Sequence, residues 1–338
     1  MSRQADIIRP APDRLAAGEA RRGLIDRGLR FCLLAALALT AASWMGTWLW
    51  TFELITHFRL QFTAAGFALL LFACLCRRPL AAVAALLVTA ANGWPLMPYV
   101  LPGAPEAQAA RGEARLLMAN VQFHNDDYDA ALSLIAREAP DIVGLVEVTD
   151  AWIGGLTDLQ AAYPYSILRP TEGAHGLALY SRLPLRELEA SPYVENGRQT
   201  ALLAEAELPD GPALLVLAHP MSPLAPAGAA LRNRQLDGLA ALARAEGGKR
   251  RILIGDLNVT PWSPYYARLE ERSGLVNASV GRGHWPTWPA WGGVGLLRIP
   301  IDHCLVSSGF DVQGFRTGET FGSEHLPLIV DVAGVDRL

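Results

Sequence analysis

Residues 251–258 read Arg-Ile-Leu-Ile-Gly-Asp-Leu-Asn. Three consecutive large aliphatic residues without alternation predict a strand buried on both faces. The strand ends in a glycine and then a carboxylate. A charge at the end of an apolar strand is costly unless it is paired or metal-bound. The same pattern recurs on either side. LLMA runs into Asn120, IVGLV into Glu147 and LLVLA into His219; Asp302 opens a strand after Pro300, and Ser323, Glu324 and His325 precede another. Taken singly, Glu147 serves equally well as a helix cap, Asp256-Leu257-Asn258 as an Asx turn, and His219 as a satisfied histidine. Six elements ending this way point to strand ends that converge on one cleft.

Working outward, the texture of residues 113–338 is α/β. Strands are predicted at Arg115–Val121, Asp141–Val148, Leu177–Ser181, Ala201–Leu208, Ala213–Ala218, Arg251–Gly255, Ile301–Val306 and Leu328–Val332. Tyr128, Ala131, Leu132, Ile135 and Ala136 follow helical spacing, with Pro140 as the stop, and further helices are predicted at Ala229–Ala245 and Pro264–Ser273. Several strands follow one another with no helix between them. That argues for mixed or antiparallel sheets with helices outside, not for a doubly wound parallel sheet.

The first third of the chain is different. Residues 31–52, 60–76 and 80–101 carry no charge. About 20 apolar residues cross a bilayer core, so the runs are expected to be three transmembrane helices. The length of the first run and the two that follow argue against a cleaved signal peptide. Trp48, Trp50, Trp94 and Tyr99 lie near the run ends, where amphipathic rings favour the interface. Seven arginines precede the first run (Arg3, Arg9, Arg14, Arg21, Arg22, Arg27, Arg30); the first connection has Arg59, the second Arg77 and Arg78. Positive flanks stay in the cytosol. Residues 1–30 are therefore expected to be a cytosolic tail, and the domain after the third run to lie outside the cytosol, periplasmic in a bacterium, on a multi-pass inner-membrane protein. Pro102–Gly112 reads as a linker.

Composition agrees with two environments. The chain of 338 residues is 51% hydrophobic and 18% charged, with a net charge of -4. Residues 1–112 hold 11 Lys+Arg against 6 Asp+Glu, a balance of +5; residues 113–338 hold 18 against 27, a balance of -9. Dominant disorder is excluded. So is a disulfide scaffold, because Cys32, Cys74 and Cys76 sit in apolar runs and leave Cys304 alone. With one lysine, Lys249, and no basic run beyond residues 249–251, the domain does not read as a generic nucleic-acid binder.

The ordered set Asn120, Glu147, His219-Pro220, Gly255-Asp256-Leu257-Asn258, Ile301-Asp302-His303 and Ser323-Glu324-His325-Leu326-Pro327 resembles the endonuclease/exonuclease/phosphatase superfamily. The likeness spans residues 115–333, and the arrangement with three N-terminal spans resembles its membrane-anchored bacterial branch. The resemblance implies a four-layer α/β/β/α sandwich with two mixed sheets and the site between them. It implies hydrolysis of a phosphoester by an activated water, with Mg2+ or Mn2+. The metal would be held by Glu147, with Asn120 and Glu324. Asp256 would position or deprotonate the water. Asn258, His219 and His325 would contact the phosphate, Asn120 would lie beside it, and Asp302 would orient His325. Such a set suits the chemistry, since cationic or amide donors meet charge on the phosphoryl oxygens while a carboxylate aligns the nucleophile. Two positions depart from the family pattern: Glu324 stands where Asp is usual, and Gln122 where several members carry an acid. They motivate an alternative, a non-catalytic phosphate-binding or scaffold module on the same fold. Expected partners are a phosphoester substrate (small molecule, lipid headgroup or nucleic acid) and the bilayer, with no protein partner.

Other features are secondary. Ser181 and Arg182 read as structural. Arg232 and Arg234 open a helix, where a solvated face outweighs a phosphate contact. Trp285, Trp288 and Trp291 share a loop that serves stacking, headgroup contact or packing. No Gly-x-Ser-x-Gly, Walker A, Gly-x-Gly-x-x-Gly, Cys-x-x-Cys or His-Glu-x-x-His motif is present.

Overall fold

A computed structural model describes residues 12–101, 103, 114–188, 194–195, 198–245, 250–292 and 295–335. The start of the basic tail, nearly all of the linker and Lys249 lie outside these. The chain divides into two compact units, residues 1–44 with 59–94, and residues 45–58 with 95–338.

The first unit contains helices α1 (Pro12–Trp44), α3 (Arg59–Leu75) and α4 (Pro79–Gly93). Leu29, Leu33, Ala73 and Ala85 are buried between them. A Cβ on Gly66 would lie 2.8 Å from Thr89 Oγ1, so glycine is what lets α3 and α4 approach. Buried Arg59 donates to Asn92 Oδ1 and to the Ser43 carbonyl, and Asn92 donates to Thr40 Oγ1. Phe31, Leu34, Phe67, Leu71, Leu80, Val83 and Leu87 remain exposed, an apolar exterior unsuited to water.

The expectation of three spans is corrected. Among the described residues one helix, Pro79–Val100, is long and apolar enough by itself to cross a membrane. Helix α3 reaches that standard only with α2 (Trp50–Thr56), across a 65° bend. The run at 31–52 is not one helix: α1 stops at Trp44, and residues 45–58 belong to the second unit. Apolarity could not reveal this, because the deciding residue, Glu53, lies one position past the run. It forms a buried ion pair with Arg232. The tail from Pro12 onward is also helical, continuous with the first apolar run.

After α5 (Met97–Val100), the second unit runs β1 (Ala114–Asn120), α6 (Tyr128–Glu138), β2 (Ile142–Val146), α7 (Asp150–Gly155), α8 (Leu159–Ala162), β3 (Tyr165–Arg169), β4 (Leu177–Ser181) and β5 (Leu185–Leu188). A two-stranded ribbon follows, β6 (Val194–Glu195) and β7 (Arg198–Gln199). Then come β8 (Ala201–Leu208), β9 (Gly211–Ala218), α9 (Pro226–Ala245), β10 (Arg250–Asp256), α10 (Pro264–Ser273), β11 (Val276–Asn277), β12 (Asp302–Val306), β13 (Phe310–Thr317) and β14 (Leu328–Gly334).

Two six-stranded sheets form, ordered β13-β14-β1-β2-β4-β3 and β11-β12-β10-β9-β8-β5. Each is mixed: β1/β2 and β9/β10 are parallel and the remaining pairs antiparallel. The layers follow from alternation along the strands. In β10, Ile252 and Ile254 join Met118, Ile142, Leu179, Leu215 and Leu217 between the sheets. Leu253 points the other way, to Leu236 and Leu239 of α9 and to Tyr266 and Leu269 of α10. On the opposite flank Leu117, Val143 and Leu145 pack against Leu134 and Ile135 of α6 and Trp152 of α7. The result is the expected α/β/β/α sandwich, and burial on both faces explains why the strands read as continuous apolar runs.

Candidate active site

The C-terminal ends of β1, β2, β9 and β10, the start of β12 and the loop before β14 meet at one end of the sandwich. The chain leaves these strands by sharp turns. Glu147 and Asn258 adopt left-handed backbone at φ 65° and 52°, as does Gln122 at 59°. That conformation costs a non-glycine residue energy and is commonly retained where a side chain must be aimed. Gly255 is required by proximity, since a Cβ there would lie 1.8 Å from the Ala218 carbonyl oxygen on the neighbouring strand.

The side chains gather tightly. Asn120 Nδ2 donates to Glu147 Oε1 at 2.9 Å and to Asp256 Oδ2 at 3.1 Å. His219 Nε2 lies 3.6 Å from Asp256 Oδ2 and 4.0 Å from Glu147 Oε1. His325 Nε2 lies 3.8 Å from Asp256 Oδ2, while its Nδ1 shares a 2.8 Å hydrogen bond with Asp302 Oδ2. All six residues are buried. Asp302, which the resemblance makes the partner of His325, lies within hydrogen-bond distance of it. Burial, the largest influence, lowers the affinity of His325 for a proton. The Asp302 and Asp256 charges, the Asp302 hydrogen bond and Glu147 more than offset it, raising the pKa to about 9. Burial and the Asp302 charge push Asp256 above the usual carboxylate range, against His325 and His219.

The remaining expected residues have more local partners. Asn258 Nδ2 donates to the Pro220 carbonyl, tying the Asp256–Asn258 turn to the residue after His219, and the Asn258 N–H is held by Asp256 Oδ1. The Glu324 side chain lines the cleft, while its N–H donates to Gln122 Oε1 at 3.1 Å. Gln122 therefore tethers the loop that carries His325, a use for an amide where an acid was expected. Ser323 Oγ, which donates to the Asn120 carbonyl and accepts from the His325 N–H, braces the same loop. His303 is structural: its Nε2 meets the Val259 carbonyl at 2.7 Å and its ring faces Tyr266.

Arg232 overturns the expectation of a solvated face. It is fully buried, donating to Glu53 Oε2 at 2.8 Å and to the Asn258 carbonyl at 2.6 Å. The three tryptophans part company: Trp285 packs on the inter-sheet core and donates to the Arg282 carbonyl, Trp288 lines the cleft, and Trp291 is exposed.

Asp256, Asp302 and His325 offer ligand atoms within 4.8 Å of one another, and Glu147 lies one hydrogen bond away through Asn120. Asp302 Oδ1 is buried without a hydrogen-bond partner. An oxygen-rich, partly unsatisfied set of this kind fits a hard divalent cation such as Mg2+ or Mn2+. Asn120 Oδ1 accepts from the Gln122 N–H, which turns its NH2 toward the carboxylates.

The family model described as Endonuclease/Exonuclease/phosphatase matches residues 119–325, more than half of the chain. The chain belongs to this family. Solved structures show the same endonuclease/exonuclease/phosphatase fold at low identity. A humanized D. rerio TDP2 is 16% identical with a TM-score of 0.56, over 65% of this chain and 98% of that one. A protein titled endonuclease/exonuclease/phosphatase from Beutenbergia cavernae is 22% identical with a TM-score of 0.50, over 66% and 72%. D. rerio TDP2 complexed with single strand DNA product is 15% identical with a TM-score of 0.55, over 65% and 98%. No curated protein matches the chain in sequence.

Proposed function

We propose that the chain is a membrane-anchored, divalent-metal-dependent phosphoesterase with its catalytic domain outside the cytosol. The observation that carries the catalytic part is the gathering of Asn120, Glu147, His219, Asp256, Asp302 and His325 from six separate elements into one buried cluster. Buried carboxylates this close are unfavourable unless they serve a cation or a proton transfer. Glu147, with Asp256 and Asn120 beside it and Glu324 at the cleft wall, would hold the metal. Bound Mg2+ or Mn2+ would supply positive charge against the phosphoryl oxygens.

The chain's own groups divide the remaining work. Asp302 keeps His325 charged and oriented, so His325 Nε2 donates to a phosphoryl oxygen. His219 and the second amide hydrogen of Asn258 add donors, while Asn120, whose amide hydrogens go to Glu147 and Asp256, lies beside the phosphate. Asp256, its proton affinity raised by burial, accepts the proton of the attacking water. The anchoring part rests on the apolar helix Pro79–Val100, the exposed apolar residues of the helical unit and the arginine-rich N-terminal flank.

The test is hydrolysis of bis-p-nitrophenyl phosphate with Mg2+ or Mn2+ and with chelator. Activity is expected only with metal, and Asp256→Ala and His325→Ala are each expected to lower kcat by about 100-fold or more. Turnover unchanged by either substitution would remove the catalytic assignment, and an absence of metal-dependent turnover would favour the non-catalytic module. An alkaline phosphatase fusion at residue 338 tests the side of the membrane, and an inactive fusion refutes the orientation.

A further inference from the structure

The cleft continues beyond the polar cluster into a cavity of about 520 Å³. Beyond the polar cluster and Glu324 its lining is largely apolar, with Leu54, Phe58, Met221, Leu224, Trp288 and Ile299. Among the described residues, no lysine or arginine lines it. Two of these residues, Leu54 and Phe58, come from the segment between the first two apolar runs, about 60 positions before the domain's first strand.

That segment is fastened at its polar positions. Glu53 Oε2 accepts from Arg232 Nη2 at 2.8 Å and Glu53 Oε1 from Ser263 Oγ at 2.8 Å, and His57 Nδ1 lies 2.9 Å from Thr260 Oγ1. Glu53 and Arg232 are both buried, and such a pair holds its place only when its hydrogen bonds are met. Arg232 meets them by donating its other nitrogens to the Asn258 carbonyl and to Asn233 Oδ1. One guanidinium thus clamps both the segment and the turn that carries Asp256.

We propose that Met45–Phe58 is a specificity wall of the substrate site, and that it selects a phosphoester bearing an apolar group, an amphiphile in place of a polynucleotide. The inference rests on the phosphoesterase reading and names its substrate class. A polyanion needs cations along its backbone, and the described lining offers none. An alkyl substituent leaving the phosphorus finds Leu54, Phe58, Trp288 and Ile299 instead, and each methylene taken from water is worth about fourfold in binding.

The experiment compares methyl and octyl p-nitrophenyl phosphate, which share a leaving group, with the full chain in lipid nanodiscs. The expected kcat/KM for the octyl ester exceeds that for the methyl ester by more than about tenfold, as burial of a few methylenes requires. In the Leu54→Ala/Phe58→Ala variant this ratio is expected to fall below about threefold, and Phe58→Leu to retain most of it. A wild-type ratio near one, a ratio untouched by the double substitution, or faster cleavage of a single-stranded oligonucleotide overturns the wall and leaves the phosphoesterase standing. If neither ester is cleaved, the phosphoesterase reading fails, and calorimetry with octylphosphonate and methylphosphonate decides the wall. Octylphosphonate binding tighter by about tenfold, and lost in the double variant, upholds it; equal binding overturns it.

Discussion

Replacing Glu53 by alanine removes the carboxylate that neutralises Arg232. Arg232 is fully buried, and the substitution leaves it only the Asn258 carbonyl and Asn233 Oδ1 as hydrogen-bond partners. Ser263 Oγ also loses its acceptor. Breaking a buried pair by removing one partner costs about 3–5 kcal/mol, because a charge is stranded without water. For a domain of this size that corresponds to roughly 6–20 °C in Tm. Arg232→Met alone should cost a similar amount, as Glu53 is then the stranded charge. The double variant Glu53→Leu/Arg232→Met should be less damaging than the two single effects added together, since neither charge remains. The assay is thermal unfolding of all three variants in one detergent, followed by the near-ultraviolet signal. A Glu53→Ala change within about 0.5 kcal/mol of wild type, or strictly additive single effects, would refute the docking of residues 45–58.

Three further outcomes follow from the site. His325 and Asp256 both have raised pKa values, so protonation of each favours the folded state. The contribution of His325 is complete below its unfolded value near 6.5 and is lost as pH climbs through about 9. The metal-free protein should therefore lose stability over that range, and Asp302→Asn should flatten the slope in thermal melts. Gly255→Ala forces a Cβ to within 1.8 Å of the Ala218 carbonyl oxygen, so expression is expected to yield little folded protein. A variant with wild-type Tm would contradict the strand packing. Gln122→Ala frees the Glu324 N–H and should cost about 1 kcal/mol while lowering kcat more than it raises KM; denaturant titration and steady-state kinetics read the two effects.

Much of the sandwich was legible in the chain because strands buried on both faces are written as unbroken apolar runs. The strands at Leu177–Ser181 and Ala201–Leu208 and the helix Pro264–Ser273 match the expected bounds. The strands missed were those with weak signals. Tyr165–Arg169 is a half-exposed edge, and Phe310–Thr317 is interrupted by Gly314 and an irregularity in its pairing. The polar strand ends were legible for the opposite reason, since Asn120, Glu147, His219 and Asp256 stand out against the apolar residues before them. Gln122 and Ser323 offered no such contrast, and their roles as tethers came only with their partners.

By itself the sequence determined the α/β class with mixed sheets, the polar strand ends and the apolar first third, all of which are local patterns of burial. Tertiary structure alone decided where Glu53 goes. Its partner Arg232 lies 179 positions away, and an ion pair leaves no periodicity in either segment. Residues 45–52 read as part of a span, yet they belong with the second unit, where Glu53 and Arg232 are buried together and each would be stranded without the other.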